Sequence, residues 1–311
     1  MRPDWAPFFN DEMADFWSGE VLWNASISSY TTFRVGGAAD ALVFPRGTKE
    51  VSQLIQGLRK MNIPWHILGR GSNVVVSDKG IKGVVIVFGK NFSRCHIVKE
   101  DGDSVLVKVE AGHSLSGLVK WAADQGLSGL EFAAGIPGTV GGAIVMNAGA
   151  WGGEISEVVS AVDMMTERGE IVTKKRKEID FQYRSWGEES SMVAVECVFR
   201  LKKSTAADSR GKCQELLEQR KKNQPLNTPS GGSFFQNPAG SKSAGELIEH
   251  AGLKGKRVGG AEVSHVHANF IVNNGSATAA DIIGLMHIVQ QRVEETSGVF
   301  LEPEVRFLGW E

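Results

Sequence analysis

The chain has 311 residues, 42% of them apolar and 23% charged, with a formal net charge of −2. That length asks for two or three domains, and the composition supplies a packed core, which excludes wholesale disorder. The near-zero charge excludes a broad electrostatic commitment to nucleic acid or to an anionic membrane, and no apolar run approaches the roughly 18 residues that span a bilayer. The start, Met1-Arg2-Pro3-Asp4-Trp5 with Asp11, Glu12 and Asp15 behind it, lacks the basic head and apolar centre of a signal peptide. Three widely spaced cysteines, Cys95, Cys197 and Cys213, form no CxxC pair, so a cytoplasmic protein with reduced thiols is expected.

In chain order, residues 48–61 read as a helix: Val51, Leu54, Ile55 and Leu58 follow helical spacing, and Thr48 can cap it. A strand at 65–68, the loop Gly69-Arg70-Gly71-Ser72-Asn73, a strand at 74–76 and a β run at 83–88 complete a small α/β unit. Residues 104–112 alternate, with Val105, Val107 and Val109 on one face. Residues 114–125 form a helix with Leu118, Val119, Ala122 and Ala123 inward. Beyond a glycine-rich segment, 158–165 and 171–174 flank the turn Glu167-Arg168-Gly169-Glu170, and 192–201 is a further strand, so a strand-rich α+β domain is expected over 90–205. Residues 204–211 are small and polar, a structureless boundary, and 213–223 a basic helix. A short helix at 243–251 closes on Gly252, and a strand ends at 270–272. Residues 278–296 form the clearest helix, started by Thr278 with Asp281 and lined by Ile282, Ile283, Met286, Val289 and Val293. Residues 299–308 read as a last strand, interrupted by Pro303.

Glycine is the unusual count: 37 residues, clustered at 36–37, 69–71, 126–153, 231–232 and 252–260. Clustered glycine marks backbone with positive φ or backbone that something approaches closely. In Gly69-Arg70-Gly71-Ser72-Asn73 two glycines let successive N–H groups turn toward one point, an anion-binding nest to which Ser72 and Asn73 add donors; a plain tight turn is the competing reading. The run Gly135-Ile136-Pro137-Gly138-Thr139-Val140-Gly141-Gly142 is neither a Walker loop, since no Gly-Lys-[Ser/Thr] follows, nor a GxGxxG fingerprint. Pro137 stiffens one turn, the glycines remove side chains that would block a phosphate, and the small residues from Ala143 to Gly152, Asn147 among them, allow packing against a flat ligand. A structural turn between strands is the alternative, but two such loops in one chain favour a cofactor pyrophosphate cradle.

Three further places could carry chemistry. Arg184, in Tyr183-Arg184-Ser185, could fork onto a carboxylate or be a surface arginine. Ser233, in Gly231-Gly232-Ser233-Phe234-Phe235-Gln236-Asn237-Pro238, lacks a GxSxG elbow, which leaves a proton-donating or ligand-binding serine rather than a hydrolase nucleophile. Glu302 and Glu304 flank Pro303 and are either acid–base groups or solvated carboxylates. His265-Val266-His267 puts two imidazoles on one strand face, but no third ligand has recognisable spacing and no metal is expected.

Taken in order, Thr32-Phe33-Arg34-Val35-Gly36-Gly37, residues 68–73 and 135–149, Phe181-Gln182-Tyr183-Arg184-Ser185, residues 232–238, His267-Ala268-Asn269-Phe270-Ile271-Val272-Asn273 and Leu301-Glu302-Pro303-Glu304-Val305-Arg306 resemble the UDP-N-acetylenolpyruvoylglucosamine reductases of bacterial peptidoglycan precursor synthesis. The resemblance runs from about residue 20 to the end and leaves residues 1–20 as an accessory arm. It implies an α+β, vanillyl-alcohol-oxidase-type FAD-binding fold, with α+β subdomains at 21–89 and 90–207 and a C-terminal α+β substrate domain at 208–311. It implies that NADPH reduces FAD, which in turn reduces UDP-N-acetylglucosamine enolpyruvate to UDP-N-acetylmuramate. By the same resemblance Gly69, Arg70, Gly71, Ser72, Asn73, Gly135, Ile136, Pro137, Gly138, Thr139, Gly141, Gly142, Ala143 and Asn147 hold FAD. Arg184 stabilises the enolate, Ser233 donates the proton, and Glu304 polarises the carboxylate, with Glu302 the other register. Tyr183, Lys221 beside Lys222, and Asn237 contact the substrate. Many members carry lysine where Gln236 stands, and the short stretch between Arg184 and Cys197 implies the compact subtype, without the tyrosine-bearing loop of the longer one. Two alternatives stay open: another FAD oxidoreductase of this fold, which need not keep Arg184, Ser233 and Glu304 together, and a non-catalytic nucleotide-binding protein. Nucleic-acid and membrane partners are not expected.

Overall fold

Alternating valines build the largest sheet. Val105, Val107 and Val109 of the strand Ser104–Glu110 are buried, and that strand pairs antiparallel with Cys95–Asp101 on one side and Val193–Lys203 on the other. The strand Val193–Lys203 also pairs with Val159–Met165, which pairs with Ile171–Lys175. These strands come from a computed structural model, which describes residues 2–188 and 191–310. Its α-helices are α1 (Thr48–Lys60), α2 (Leu115–Asp124), α3 (Val140–Val145), α4 (Ala206–Asn223), α5 (Ala244–His250) and α6 (Ala279–Ser297). No helix among the described residues is long and apolar enough to cross a membrane.

The chain divides into two compact units. The first comprises Met1–Trp23, Ala41–Arg70 and Gly83–Gln219. Its large core sets Leu115, Leu118, Val119 and Ala122 of α2 against Val107, Val109, Phe199 and Leu201 of the sheet. A second core joins Val51, Leu54, Ile55 and Leu58 of α1 to Val84 and Ile86 and to Phe8, Phe9 and Met13. The N-terminal aromatics are therefore packed: Phe8 seats over Gly57 of α1, where a Cβ would collide with its ring. Ser18 adds hydrogen bonds from N (3.1 Å) and Oγ (2.6 Å) to the buried Glu50 carboxylate. That carboxylate also accepts from the Arg46 amide at 2.8 Å, whereas the cap position is Gly47 and Thr48 is the first helical residue. The stretch expected to be a structureless boundary begins α4. Thr205 Oγ1 accepts from the Asp208 amide at 3.1 Å and donates to its carboxylate at 2.7 Å, a helix start within the small polar residues.

The second unit comprises Asn24–Asp40, Gly71–Lys82 and Arg220–Glu311. Ile282, Leu285, Met286, Val289 and Val293 of α6 bury against Leu247 and Ile248 of α5, Val263 and Ile271, and Phe33, Phe234 and Phe235. A three-stranded antiparallel sheet orders Arg257–Val258, Ala261–Val263 and Ile271–Asn273. Thr278 and Asp281 form a full capping box on α6, and Gly298 ends it at φ +69°. Only Arg306–Leu308 of the expected last strand pairs as one, in parallel with Val74–Val76. Pro303, without an N–H, reaches Phe235 through an isolated bridge.

Candidate active site

The glycine run is folded against a segment to which the sequence assigns no part in the site. Ala111-Gly112-His113-Ser114 lies antiparallel to it: Leu115 N donates to Gly138 O (3.1 Å), Val140 N to His113 O (2.9 Å) and Gly141 N to Ala111 O (2.8 Å). Thr139 is buried and caps α3, its Oγ1 accepting from Gly142 N at 3.3 Å, while Ala143 N donates to Thr139 O at 2.9 Å. The amides of Val140, Gly141, Gly142 and Ala143 are thus spent within the protein. The part open to a ligand is the turn from Gly135 to Gly138, with φ +76° and +148° at its two glycines and Pro137 exposed. Gly69, from the other glycine loop, abuts this turn so closely that a Cβ would fall on Thr139 Oγ1. Gly69 packs directly on the Thr139 side chain, so only glycine fits there, and its backbone beside the open turn Gly135 to Gly138 forms a candidate slot for something thin and anionic. The residues fit a flavin dinucleotide, whose pyrophosphate needs close backbone approach.

Gly71, at φ +58°, has no room for a Cβ beside the Tyr30 carbonyl, and its own carbonyl accepts from Thr32 N at 3.0 Å. Asn73 donates from Nδ2 to Glu304 O (3.1 Å) and accepts from Arg306 N (3.0 Å), which ties the first glycine loop's end to the C-terminal glutamates. Ser72 is half-buried and Arg70 exposed.

Asn147 is not a ligand group by its side chain. It is 1% exposed, donates from Nδ2 to Gln182 O (3.1 Å) and accepts at Oδ1 from Ser156 N (3.0 Å). Its function in the fold is to link the glycine segment to the turn that carries Arg184. That turn is closed by Gln182 N to Ser185 O (2.8 Å) and the reverse bond (3.2 Å), with Arg184 at φ +58°. The Arg184 guanidinium stands 4.9 Å from the centre of the exposed Tyr183 ring. The short stretch that follows includes residues 189 and 190, which lie outside the described residues.

Ser233 and Glu304 are brought together in the second unit. Glu304 N donates to Phe234 O (2.8 Å), Gln236 N to Glu302 O (2.9 Å), and Gln236 Nε2 to Pro303 O (3.3 Å). Asn269 holds the serine loop from the other side: Phe234 N donates to its carbonyl (2.8 Å), Phe235 N to Oδ1 (2.9 Å), and its Nδ2 donates to Phe235 O (2.8 Å). Thr32 Oγ1 donates to Ser230 O at 2.6 Å and Gly231 packs on the Phe33 ring. Glu302 is exposed and Glu304 half-buried. Asn237 Oδ1 accepts from Ala244 N at 3.0 Å, so half of its amide belongs to the start of α5.

Lys221 and Lys222 are exposed on the last turn of α4. The buried cation there is Arg220, 7% exposed, with Nη1 on Gln224 at 3.1 Å and Nε without a partner among the described residues. Burial pushes its guanidinium below its ordinary value. Sequence reasoning missed Arg220 because nothing in a run of basic residues says which one faces inward. His265 and His267 go to separate partners, Glu262 Oε1 (3.2 Å) and Asn269 N (3.2 Å).

Residues 39–174 match an FAD binding domain, and residues 224–308 match the UDP-N-acetylenolpyruvoylglucosamine reductase C-terminal domain. A UDP-N-acetylenolpyruvoylglucosamine reductase of Heliobacterium modesticaldum is 43% identical over 94% of this chain and 91% of its own length. One from Bacillus pumilus is 39% identical over 97% and 98%. The crystal structure of UDP-N-acetylenolpyruvylglucosamine reductase from Thermus caldophilus superposes with a TM-score of 0.78 at 35% identity, covering 94% of this chain and all of that one. A cholesterol oxidase from Brevibacterium sterolicum matches 65% of this chain and 40% of its own at a TM-score of 0.51 and 14% identity, which extends the likeness to fold alone.

Proposed function

The chain belongs to the UDP-N-acetylenolpyruvoylglucosamine reductase family, and on that premise we propose that it reduces UDP-N-acetylglucosamine enolpyruvate to UDP-N-acetylmuramate, with NADPH as reductant. Its cofactor is FAD and its class FAD-dependent oxidoreductase. The observation that carries the reading is the slot where Gly69 meets Thr139 beneath the turn Gly135 to Gly138, joined through Asn147 to the Arg184 turn. FAD, held by the turn Gly135 to Gly138 and the Gly69 backbone, would supply the hydride-transfer chemistry between a nicotinamide and C3 of the enolpyruvyl ether.

The chain's own residues manage charge and protons. Hydride arrival at C3 drives negative charge onto C2 and the carboxylate, and a cation fixed beforehand stabilises it better than water that must reorient. Arg184 suits that role, because its backbone is locked in a two-bond turn and Tyr183 beneath the guanidinium limits where it swings. Ser233 Oγ is the group proposed to pass its proton to C2. Gly232, at φ +81°, and the fully buried Phe234 hold it at the edge of an apolar core, where a strongly basic enolate can take a proton from a weak acid. Glu304, whose amide is bound to Phe234 O, is proposed to polarise the carboxylate from beside the serine. For the UDP pyrophosphate the candidates are Lys221, the remaining amide donors of Asn237 and the buried Arg220, with Tyr183 beside the substrate. A cytoplasmic location and freedom from nucleic-acid partners are proposed from the composition and charge, and the division into residues 1–20, 21–89, 90–207 and 208–311 on the resemblance.

The test separates the half-reactions. NADPH oxidation should depend on the enolpyruvyl substrate, and NADH in its place measures the reductant preference. In Ser233→Ala, bleaching of the flavin by NADPH should keep its wild-type rate, while reoxidation by substrate slows by about 10²-fold or more. Equal loss in both steps would remove Ser233 as the proton donor.

A further inference from the structure

A two-residue hairpin tip in the first unit carries a side chain that its backbone disfavours. Gly149–Ala150 pairs antiparallel with Gly153–Glu154, leaving Trp151 and Gly152 at the tip. Both have positive φ, +56° and +81°. Paired positive values are the signature of the type I′ hairpin turn, whose central positions favour Asn-Gly. A bulky aromatic in the left-handed region is strained by its own Cβ. The fold gains little packing in return, since Trp151 is 42% exposed and belongs to none of the three apolar cores among the described residues.

The tip is nonetheless held firmly. Gly153 lies so near Phe132 that a Cβ would stand 2.9 Å from its ring. Ile155 N donates to Ala148 O (3.0 Å) and Ala148 N to Ala143 O (2.8 Å), which fastens the hairpin to the end of α3. Phe132 sits in the single turn Glu131–Ala133, which leads straight into Gly135. A strained, exposed indole is therefore fixed to both ends of the segment that forms the cofactor slot. Strain kept at such a place is a sign of use.

We propose that Trp151 is a stacking platform for a heteroaromatic ring of the bound dinucleotide, adenine or isoalloxazine. The indole face provides planar apolar area at low entropic cost, and the turn holds it out of the core and available to the ligand. This inference rests on FAD being the cofactor.

The experiment uses the full-length holoenzyme and its Trp151→Asn and Trp151→Phe variants. FAD release after dilution is followed by recovery of free flavin fluorescence, and the melting of the flavin-free full chain by circular dichroism. Trp151→Asn should release FAD about ten- to hundredfold faster, with Trp151→Phe close to wild type. Flavin-free Trp151→Asn should melt at or above the wild-type temperature, because Asn suits the left-handed turn position. Reconstitution with FMN tells the rings apart: weakened FAD but unchanged FMN assigns adenine, and weakening of both assigns isoalloxazine. Wild-type FAD release in Trp151→Asn overturns the proposal, as does a flavin-free variant that melts well below wild type, or unchanged release with a raised KM for the UDP substrate. A protein purified without flavin would instead remove the cofactor assignment on which the proposal depends.

Discussion

At the scale of single residues, the slot depends on atoms that are absent. Gly138 sits at φ +148°, a conformation that L side chains rarely adopt, on the turn open to the ligand. Gly69 has Thr139 Oγ1 where its Cβ would be. Gly138→Val is therefore expected to evict flavin, measured as the flavin absorbance per protein after purification; normal FAD content in a folded variant would count against the slot. The sequence located these glycines but did not divide their labour. Gly141, Gly142 and Ala143 keep their amides inside the protein and contribute by leaving room, Gly141 standing against Ala111. The side chain of Asn147, a residue expected to hold FAD, serves as a clamp, since a polar side chain at 1% exposure must satisfy itself within the fold. Spacing along a chain cannot report which face of a loop a side chain takes.

At the scale of elements, local signals were legible where chemistry is local. The α6 capping box, Thr278 with Asp281, is written in four residues and forms as expected. Removing it by Thr278→Ala should cost about 1 kcal/mol, read by chemical denaturation. The N-terminal arm illustrates the opposite case. Its aromatics have no helical or strand period, yet Phe8, Phe9 and Met13 lie in the core beside α1, because burying a large apolar side chain is favourable wherever a surface can receive it. Phe8→Ala should cost about 3–5 kcal/mol, since it removes a buried ring and leaves a cavity over Gly57. A variant as stable as wild type would make the arm an appendage. The strands Glu20–Ser26, Ala38–Phe44 and Cys95–Asp101 escaped the sequence reading because their burial does not alternate cleanly.

At the scale of the whole molecule, titrating groups of the second unit make it acid-sensitive. Burial lowers His267 below its ordinary value of 6.5, so the folded state prefers the neutral ring. That contribution is present above 6.5 and is lost as pH falls through the lower folded value. Burial pushes the Glu262 carboxyl up, but Asn274, Arg257 and His265 together outweigh it and hold the group below its ordinary value of 4.5. The amides of Thr278 and Gly260 and the Thr278 hydroxyl hold Asp281 below 3.8, although burial opposes them. Stability carried by these two carboxylates is present above their ordinary values and lost on further acidification. The melting temperature should therefore fall in two stages as pH drops from neutral. His267→Gln should flatten the upper stage and Glu262→Gln the lower; a single transition unaffected by either would refute the scheme.

The sequence by itself determined the family, through an ordered set of short motifs, and with it FAD and the reductase chemistry. It also determined α1, α2 and α6 and the alternating strands, because periodicity acts within a few residues, whereas α4 begins inside a stretch that reads as a structureless boundary. Only the tertiary structure decided that residues 111–114 form a wall of the slot, that Gly69 meets Thr139 and that Asn147 joins the slot to the Arg184 turn. It alone decided that Arg220, rather than its lysine neighbours, is the buried cation. The physical reason is the same in each case: partners far apart in the chain are chosen by packing and by the need to satisfy buried polar groups, and neither leaves a mark in local spacing.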